Sequence, residues 1–324
     1  IIAFVGPNNA GKSTILKMFY ELRDLFVRLS QPDNFMKFLQ KPGASISIPS
    51  NPSDIFCNQN DHNIEIEIEY MSKPKQKLIG GSIPILKKML IEINRHGGYT
   101  CYVRPFGKGG NYAMNEEITK GSCNFEDNIL ISPEGDERDL AEYLKFFSII
   151  SNSVYVPAFR NAVNQGGGRL FDIQIGSSFI NFWDDKKTGA NNKDNNQAYE
   201  LCEKIKQIFK FNELGFDATP NRENLKVRID GNSYSLSEVG SGIAQFIIVL
   251  GNVAFRKPAL IFIDEPELSL HPVLQIHFLN LLRDMASSGI KFATHNLGLA
   301  YLLADRIYSV QMDEGGISEV SEYY

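Results

Sequence analysis

Short runs of apolar residues that end at polar positions recur along the chain, and they predict the strands of a central sheet. Three clear runs are Ile1–Val5, Leu260–Ile263 and Gly289–Ala293. Strands covered on both faces have continuous apolar sequences, so we expect these three to be parallel and buried. The carboxyl ends of parallel strands meet at one edge of the sheet, where α/β folds bind their ligands. The polar residues after each run are therefore the first candidates for chemistry.

Apolar residues at helical spacing follow several of these strands and predict an alternation of strands and helices. The first predicted helix starts at Lys12, directly after a glycine-rich loop. Further helices are predicted at Asp136–Ile150, Ala198–Phe211, the residues after Ser241, and Val273–Met285, and short strands at Val154–Pro157 and Arg306–Val310. An α/β fold is expected.

The middle of the chain has a different pattern. Ile64–Tyr70 alternates apolar residues with glutamates, which is typical of an antiparallel strand with one face in water. Glutamates spaced in this way are solvated rather than gathered around a metal ion. Leu225–Ile229 also alternates, and Asp230-Gly231 predicts a two-residue hairpin turn. The polar run Asp184–Gln197 predicts a mobile surface loop.

These patterns divide the chain into a core and an insertion. Residues 1–30 and 225–324 are expected to form the ligand-binding core, because they carry the apolar runs with polar ends. Residues 31–224 are expected to form an antiparallel β subdomain and a compact helical insertion.

Composition narrows the functional classes. The chain has 324 residues, 43% of them hydrophobic, and a formal net charge of -5, so it is globular and has no global attraction to nucleic acid. No apolar run approaches the roughly 20 residues of a membrane helix. The four cysteines are far apart, and with no signal sequence visible a reducing cytoplasm is expected. Because the chain lacks an initiator methionine, we expect it to be part of a longer protein.

One lysine-rich stretch could attract nucleic acid locally although the net charge of the chain is negative. It either contacts phosphates of DNA or is an ordinary solvated face. Its residues are Lys73, Lys75, Lys77, Lys87 and Lys88.

The loop after the first strand has the phosphate-binding spacing G-x-x-x-x-G-K-S. Backbone N–H groups of such a loop, and the positive end of the helix that follows, bind phosphate oxygens. Lys12 is expected to reach the outer phosphates and Ser13 to offer its hydroxyl to a metal ion. The residues assigned to the nucleotide are Gly6, Pro7, Asn8, Asn9, Ala10, Gly11, Lys12, Ser13 and Thr14.

Polar residues at the ends of the other two runs complement this loop. Asp264 can hold a magnesium ion, and Glu265 can orient or deprotonate a water molecule. His295 follows the next strand and is placed to contact a γ-phosphate; a histidine satisfied within the core is the alternative. A nucleoside triphosphate with Mg²⁺ is therefore the expected ligand.

A second glycine-rich turn precedes a helix at Gly240-Ser241-Gly242. Free N–H groups and a hydroxyl at a helix N-terminus make a second anion-binding site, although a plain capped helix has the same sequence. Arg160, just beyond a strand, leaves two readings open: contact with a nucleotide or partner, or a structural ion pair.

Taken together, these motifs resemble the ATP-binding-cassette (ABC) ATPases of the SMC, RecF and OLD (overcoming lysogenisation defect) type. The phosphate loop, the G-S-G signature, D-E-P-E-x-x-L-H-P and T-H-N occur in the order of that superclass. The resemblance implies an ABC-type P-loop head with a mixed, mainly parallel core sheet. The absence of a long heptad pattern, and the displacement of the signature glutamine to Gln245, favour the OLD-like branch.

The resemblance also implies roles and partners. In that family the signature of one subunit caps the nucleotide of the other, so Ser241 and Gly242 would act on the ATP of a second copy, and Ser269–His271 would face the dimer. Lys12, Glu265 and His295 would be catalytic, and Ser13 with Asp264 would hold Mg²⁺. An effector, such as the nuclease that follows the head in OLD proteins of antiphage defence, would be fused or bound outside the given chain.

Three functions follow from this resemblance. The first is a dimerising ATPase that controls such an effector in antiphage defence or DNA processing. The second is a slow or non-hydrolysing scaffold that ATP locks around a partner protein. The third is a RecF-like DNA-repair ATPase, which the sequence pI near 5.7 disfavours.

Overall fold

The computed structural model of the 324-residue chain divides into two compact units. The first unit comprises Ile1–Tyr20 with Asn152–Tyr324, and the second comprises Glu21–Ser151. The structure describes residues 1–35, 44–45, 62–70, 88–94, 98–104, 124–126, 129–131, 137–158, 168–268, 270–313 and 316–323.

A six-stranded sheet forms the centre of the first unit, with the order β18-β17-β1-β16-β15-β9. All neighbours are parallel except β17 and β18. The fold class predicted from sequence, with a mixed and mainly parallel core sheet, is confirmed. The strands are β1 (Ile2–Val5), β9 (Ser153–Val156), β15 (Leu260–Asp264), β16 (Ile290–Thr294), β17 (Arg306–Met312) and β18 (Ser318–Glu322).

The register of this sheet brings the polar strand ends together. Val5 is the partner of Thr294 across β1 and β16, and Asp264 is the partner of Ala293 across β15 and β16. The phosphate loop, the acidic pair and the T-H-N turn therefore leave the sheet side by side at one edge.

Helices of the first unit bury large apolar side chains. Helix α6 buries every residue from Ala244 to Ala254, and Phe246 packs on Phe278 with ring centroids 5.0 Å apart. Burial of this apolar surface is the main stabilising term of the unit. The helices are α1 (Lys12–Glu21), α4 (Gly176–Thr188), α5 (Asn192–Phe209), α6 (Ser241–Ala254), α7 (Pro272–Met285) and α8 (Leu297–Leu303).

Two small antiparallel sheets complete the first unit. The predicted hairpin turn is present: Asp230 has φ 48° and Gly231 has φ 81°, the positive values that a two-residue turn of this kind requires. The small sheets consist of β10 (Gly168–Leu170) with β11 (Ile173–Ile175), and of β12 (Leu214–Ala218), β13 (Leu225–Ile229) and β14 (Asn232–Ser235).

The second unit has its own core. Helices α2 and α3 pack together, and Phe26 stacks on Phe147 with ring centroids 6.1 Å apart. In β3 each isoleucine is half-buried and each glutamate is exposed, as its alternation predicts. The elements are α2 (Arg23–Leu29), α3 (Ala141–Ser151), β2 (Ala44–Ser45), β3 (Ile64–Glu69), β4 (Lys88–Ile93), β5 (Gly98–Arg104), β6 (Asn124–Glu126), β7 (Ile129–Ile131) and β8 (Glu137–Asp139).

One prediction about local structure is wrong. The polar run Asp184–Gln197 is not a loop: α4 continues to Thr188, and α5 begins at Asn192. Asn191 caps α5 by accepting a hydrogen bond from the N–H of Lys193. Residues 190–193 are exposed, so the polar composition reflects solvated helix ends rather than missing structure.

Strand β9 also changes the division of the chain. It pairs with β15 in the central sheet, which brings the segment from Asn152 to residue 224 into the first unit. The units divide after Tyr20 and after Ser151, and the ligand-binding core of residues 1–30 and 225–324 stays a prediction. Within the described residues, no helix combines the length and hydrophobicity that crossing a bilayer requires.

Candidate active site

The phosphate loop is held in a conformation that depends on its glycines. A Cβ atom at Gly6 would lie 2.1 Å from the carbonyl oxygen of Val310, and one at Gly11 would lie 2.7 Å from the hydroxyl of Ser318. Gly11 also has φ 93°, which side-chain-bearing residues rarely adopt. The loop therefore packs against β17 and β18 with no room for side chains at these two positions.

The remaining loop residues differ in exposure. Ala10 is buried and packs the loop onto the unit, whereas Pro7, Asn8 and Asn9 are exposed. Ser13 and Thr14, also exposed, lie in the first turn of α1. The turn thus presents its N–H groups and two hydroxyls at the surface.

Lys12 is the buried cation of the site, with 5% of its surface exposed. Its Nζ donates to the carbonyl oxygens of Gly6 at 3.0 Å and Pro7 at 2.7 Å. Burial lowers the pKa of Lys12, and three nearby carboxylates, which are those of Asp264, Glu265 and Glu267, oppose this effect. The ammonium group therefore donates hydrogen bonds to the carbonyl groups of its own loop.

Asp264 is a buried carboxylate with an unused oxygen. The Ser13 hydroxyl hydrogen-bonds to this carboxylate, but burial has the larger effect and raises the pKa of Asp264. Its Oδ1 is buried and has no hydrogen-bond partner within the described residues. A hydroxyl beside an unpartnered carboxylate oxygen is the kind of oxygen donor set that Mg²⁺ uses. These two residues therefore fit a magnesium ion, although the described residues contain no group of three or more His, Cys, Asp or Glu side chains that could hold a metal ion by themselves.

Glu265 has a strained backbone, with φ 45°, at the point where the chain leaves β15. A non-glycine residue in this region costs of order 1–3 kcal/mol and is frequent at functional sites. The N–H of Glu265 donates to the carbonyl oxygen of Ala293 at 2.9 Å, which holds the turn against β16. The side chain is 12% exposed and so lies at the mouth of the site.

His295 bridges the acidic turn and the phosphate loop. Its Nε2 lies 3.1 Å from Oε1 of Glu265, and its Nδ1 lies 3.1 Å from the carbonyl oxygen of Gly6 and 3.5 Å from Nζ of Lys12. A neutral imidazole has one N–H group, so it donates to only one of these two oxygens at a time. The predicted satisfied-core alternative for His295 does not fit, because the side chain is 35% exposed.

Glu267 is a site residue to which the sequence assigns no role. Its Oε1 accepts hydrogen bonds from the hydroxyl of Thr294 at 2.6 Å and from the N–H of His295 at 3.0 Å. The only sequence signal is its place in the D-E-P-E motif, since Thr294 lies 27 positions away.

The signature turn lies at the N-terminus of α6. Gly240 is the N-cap residue, and no side chain caps the first turn of this helix. Gly240 and Ser241 are exposed, and Gly242 is partly exposed. No hydrogen bond from Ser241 to the phosphate loop is present in the described part of the chain. The turn is therefore open to solvent.

Other residues singled out by sequence are placed as follows. Gln245 is buried, and its Oε1 has no hydrogen-bond partner among the described residues. His271, the N-cap of α7, is exposed. Ser269, Arg160 and the lysines at 73, 75, 77 and 87 lie outside the described residues, and of Lys88 only the backbone is described.

Comparisons with known proteins agree with an ATPase. Residues 159–300 match the family model described as an AAA ATPase domain, which is less than half of the chain. A search of curated proteins gave no significant match.

Several solved structures share a distant overall similarity. The SMC head domain from Thermotoga maritima is 15% identical, with a TM-score of 0.42, over 100% of this chain and 90% of that one. An Smc head bound to the C-terminal winged-helix domain of ScpA is 12% identical, with a TM-score of 0.48 and coverage of 99% and 90%. An ATP-binding subunit of an ABC transporter is 12% identical, with a TM-score of 0.37 and coverage of 96% and 74%. At these values none of them bears on the partners or activity of this chain.

Proposed function

We propose that this AAA-type, ABC-like ATPase head binds ATP with Mg²⁺, hydrolyses it between two copies of the chain, and thereby controls an associated effector. The observation that carries the proposal is the convergence of Lys12, Glu265 and His295 on the phosphate loop, with Nε2 of His295 3.1 Å from Glu265 and its Nδ1 3.1 Å from Gly6.

Binding would use groups that are already in place. The loop N–H groups and the N-terminus of α1 would donate hydrogen bonds to the phosphate oxygens. Lys12 would exchange its two bonds to loop carbonyls for phosphate oxygens, because a charged acceptor makes a stronger hydrogen bond than a carbonyl. Ser13 and Asp264 would hold Mg²⁺, which when bound neutralises phosphate charge.

Hydrolysis would rest on the residues after β15 and β16. Glu265 would orient a water molecule and accept its proton, and His295 would hold Glu265 and contact the γ-phosphate. Catalysis of phosphoryl transfer is mainly a matter of positioning and charge stabilisation. The 3.1 Å contact between Nε2 of His295 and Oε1 of Glu265 would provide that positioning before the substrate arrives.

Dimerisation is supported by the open signature turn. Ser241 lies at a helix N-terminus, is exposed, and has no phosphate-binding group of its own chain within hydrogen-bonding distance among the described residues. A second copy that brings its phosphate loop to this turn would fill that half-site. We infer control of an effector from the sequence resemblance, since the effector of OLD-like defence systems is a nuclease.

Phosphate release and molar mass test the proposal together. We expect Mg²⁺-dependent release of phosphate from ATP, and a doubling of the mass in light scattering when a slowly hydrolysed ATP analogue is added. Dimer formation without any phosphate release would favour the ATP-locked scaffold. A chain that binds no ATP in calorimetry would contradict the proposal as a whole.

A further inference from the structure

The side chain of Glu267 joins the turn after β15 to the end of β16. Oε1 of Glu267 accepts a 2.6 Å hydrogen bond from the hydroxyl of Thr294 and a 3.0 Å bond from the backbone N–H of His295. Thr294 is fully buried. Glu267 therefore holds the two consecutive residues through which β16 passes into the His295 turn.

The backbone of Glu267 is itself held by a side chain of α7. The buried side chain of Gln275, on α7, donates to the carbonyl oxygens of Glu267 at 3.3 Å and of Leu270 at 2.9 Å. Gln275 is 6% exposed. These bonds attach the acidic turn to α7. The carboxylate of Glu267 is therefore held in place as a hydrogen-bond acceptor for the His295 turn.

The bond network continues beyond His295. The hydroxyl of Thr294 donates to Glu267 and accepts the N–H of Asn296 at 2.9 Å, while the side chain of Asn296 caps α8 by accepting the N–H of Leu299 at 3.1 Å. The backbone is thereby fixed on both sides of His295. The imidazole ring of His295 can still rotate about its side-chain bonds, and it lies within hydrogen-bonding distance of Glu265 and Gly6.

We propose that Glu267 is a positioning residue for ATP hydrolysis, which acts by fixing the backbone of His295 so that its imidazole meets Glu265. This inference rests on the proposed ATPase activity of the same site. Glu267 does not replace Glu265 as the water-activating group, because its Oε1 is occupied by two donors and its Oε2 is buried. Charge at Glu267 is secondary; what matters is an acceptor at the position of Oε1.

A purely structural role would give a different result. If Glu267 only stabilised the turn, its loss would weaken folding and nucleotide binding, and the loss of activity would not depend on His295. If it acts through His295, its loss leaves nucleotide affinity in place and matters little once the imidazole is gone. A double-mutant cycle separates the two.

The variants are Glu267→Ala and Glu267→Gln, each with and without His295→Ala, and Glu200→Gln on the exposed face of α5 as the matched control. Glu267→Ala is expected to lower kcat on the order of 10–100-fold, by analogy with the effect of removing residues that orient metal-binding histidines. In the His295→Ala background it should change kcat by less than about twofold. Glu267→Gln, which keeps an oxygen acceptor, should recover most of the rate, and the Kd for an ATP analogue should stay within about twofold.

An equal fall in kcat in both backgrounds would overturn the proposal, as would a Glu267→Gln variant as slow as Glu267→Ala. If Glu267→Ala fails to fold, Thr294→Val removes one of the two donors and is compared in the same cycle; loss of rate that persists without the His295 side chain would again overturn it.

A second readout does not require hydrolysis. In nucleotide-free protein with ¹⁵N-labelled histidines, the ring signals of His295 are identified by their loss in His295→Ala. Glu267→Ala should shift or broaden them, whereas Glu200→Gln should not. Unchanged signals would overturn the positioning role. If the wild-type chain releases no phosphate but the signals shift, the proposed ATPase activity fails and the structural link between Glu267 and His295 stands.

Discussion

Among the described helices, α1 and α6 have N-termini that suit an anion, and the two differ in the side chains that surround them. At the N-terminus of α1, Lys12 and His295 contact carbonyl oxygens of the phosphate loop at 2.7–3.1 Å, and Glu265 lies 3.1 Å from His295. At the N-terminus of α6, Gly240 and Ser241 face solvent and no side chain caps the helix. The first site contains the side chains that we propose bind ATP and activate water, whereas the second has backbone donors but no partner groups. This difference is what we expect of a site assembled from two copies of one chain.

Glu265→Gln should have the largest effect at the first site. The amide keeps the shape of the side chain but accepts no proton, so kcat should fall on the order of 10²–10⁴-fold while ATP still binds. The variant should therefore accumulate as an ATP-bound dimer. Phosphate release and light scattering measure the two effects, with Glu200→Gln as the control for a lost surface charge. Turnover at the wild-type rate would exclude Glu265 as the water-activating residue.

Lys12→Met should act on binding rather than on chemistry. Methionine fills the space of the lysine stem, and because burial lowers the pKa of Lys12, the fold does not need the charge. Loss of charge-assisted bonds to phosphate should weaken ATP affinity by about 100-fold. Calorimetry gives the Kd, and the melting temperature reports that the fold is intact. An unchanged Kd would place the triphosphate elsewhere.

Measured without Mg²⁺ and nucleotide, Asp264→Asn should change thermal stability, and this effect is the smallest of the three. Burial raises the pKa of Asp264, so the folded chain binds this proton more tightly than the unfolded chain does. The contribution of Asp264 to the free energy of unfolding is therefore favourable below the ordinary carboxyl pKa. It is lost as the pH rises through the raised pKa of the folded chain. Without Mg²⁺ or nucleotide, the asparagine variant should melt higher at neutral pH by about 2–4 °C, which corresponds to about 1 kcal/mol.

The pH dependence provides the control for that variant. The gain in melting temperature should disappear at about pH 4, where an aspartate with an unperturbed pKa is half protonated. Ser241→Ala, at the open turn, should show no gain at either pH. A gain for Asp264→Asn that is independent of pH would contradict desolvation as the cause.

The sequence predicts those parts of the molecule in which one short segment determines its own structure. Continuous apolar runs such as Leu260–Ile263 mark buried parallel strands, and the loop from Gly6 to Ser13 has a spacing that few other structures use. Once the strands are parallel, the meeting of Lys12, Glu265 and His295 at one edge follows. The turn at Gly240-Ser241-Gly242 is a weaker signal, because a plain capped helix has the same sequence.

Other features depend on contacts between distant segments. The polar run Asp184–Gln197 has the composition of a loop, yet Asn191 caps a helix within it, because polar residues on solvated helix ends need no apolar partner. The link from Glu267 to Thr294 spans 27 positions, and nothing in either segment alone indicates it. The pairing of β9 with β15 likewise requires the folded chain.

Whether two chains share one ATP is tested most directly by mixing two defective variants. Lys12→Met has a defective phosphate loop and an intact signature turn, and Ser241→Arg has the reverse. At an ATP concentration only a few times the wild-type Kd, where Lys12→Met is almost unbound, each variant alone should release almost no phosphate. An equal mixture should regain about a quarter of the wild-type rate, because half of the dimers then contain one intact composite site out of two. A mixture as inactive as its components, or Ser241→Arg protein that hydrolyses ATP at the wild-type rate by itself, would contradict the shared site.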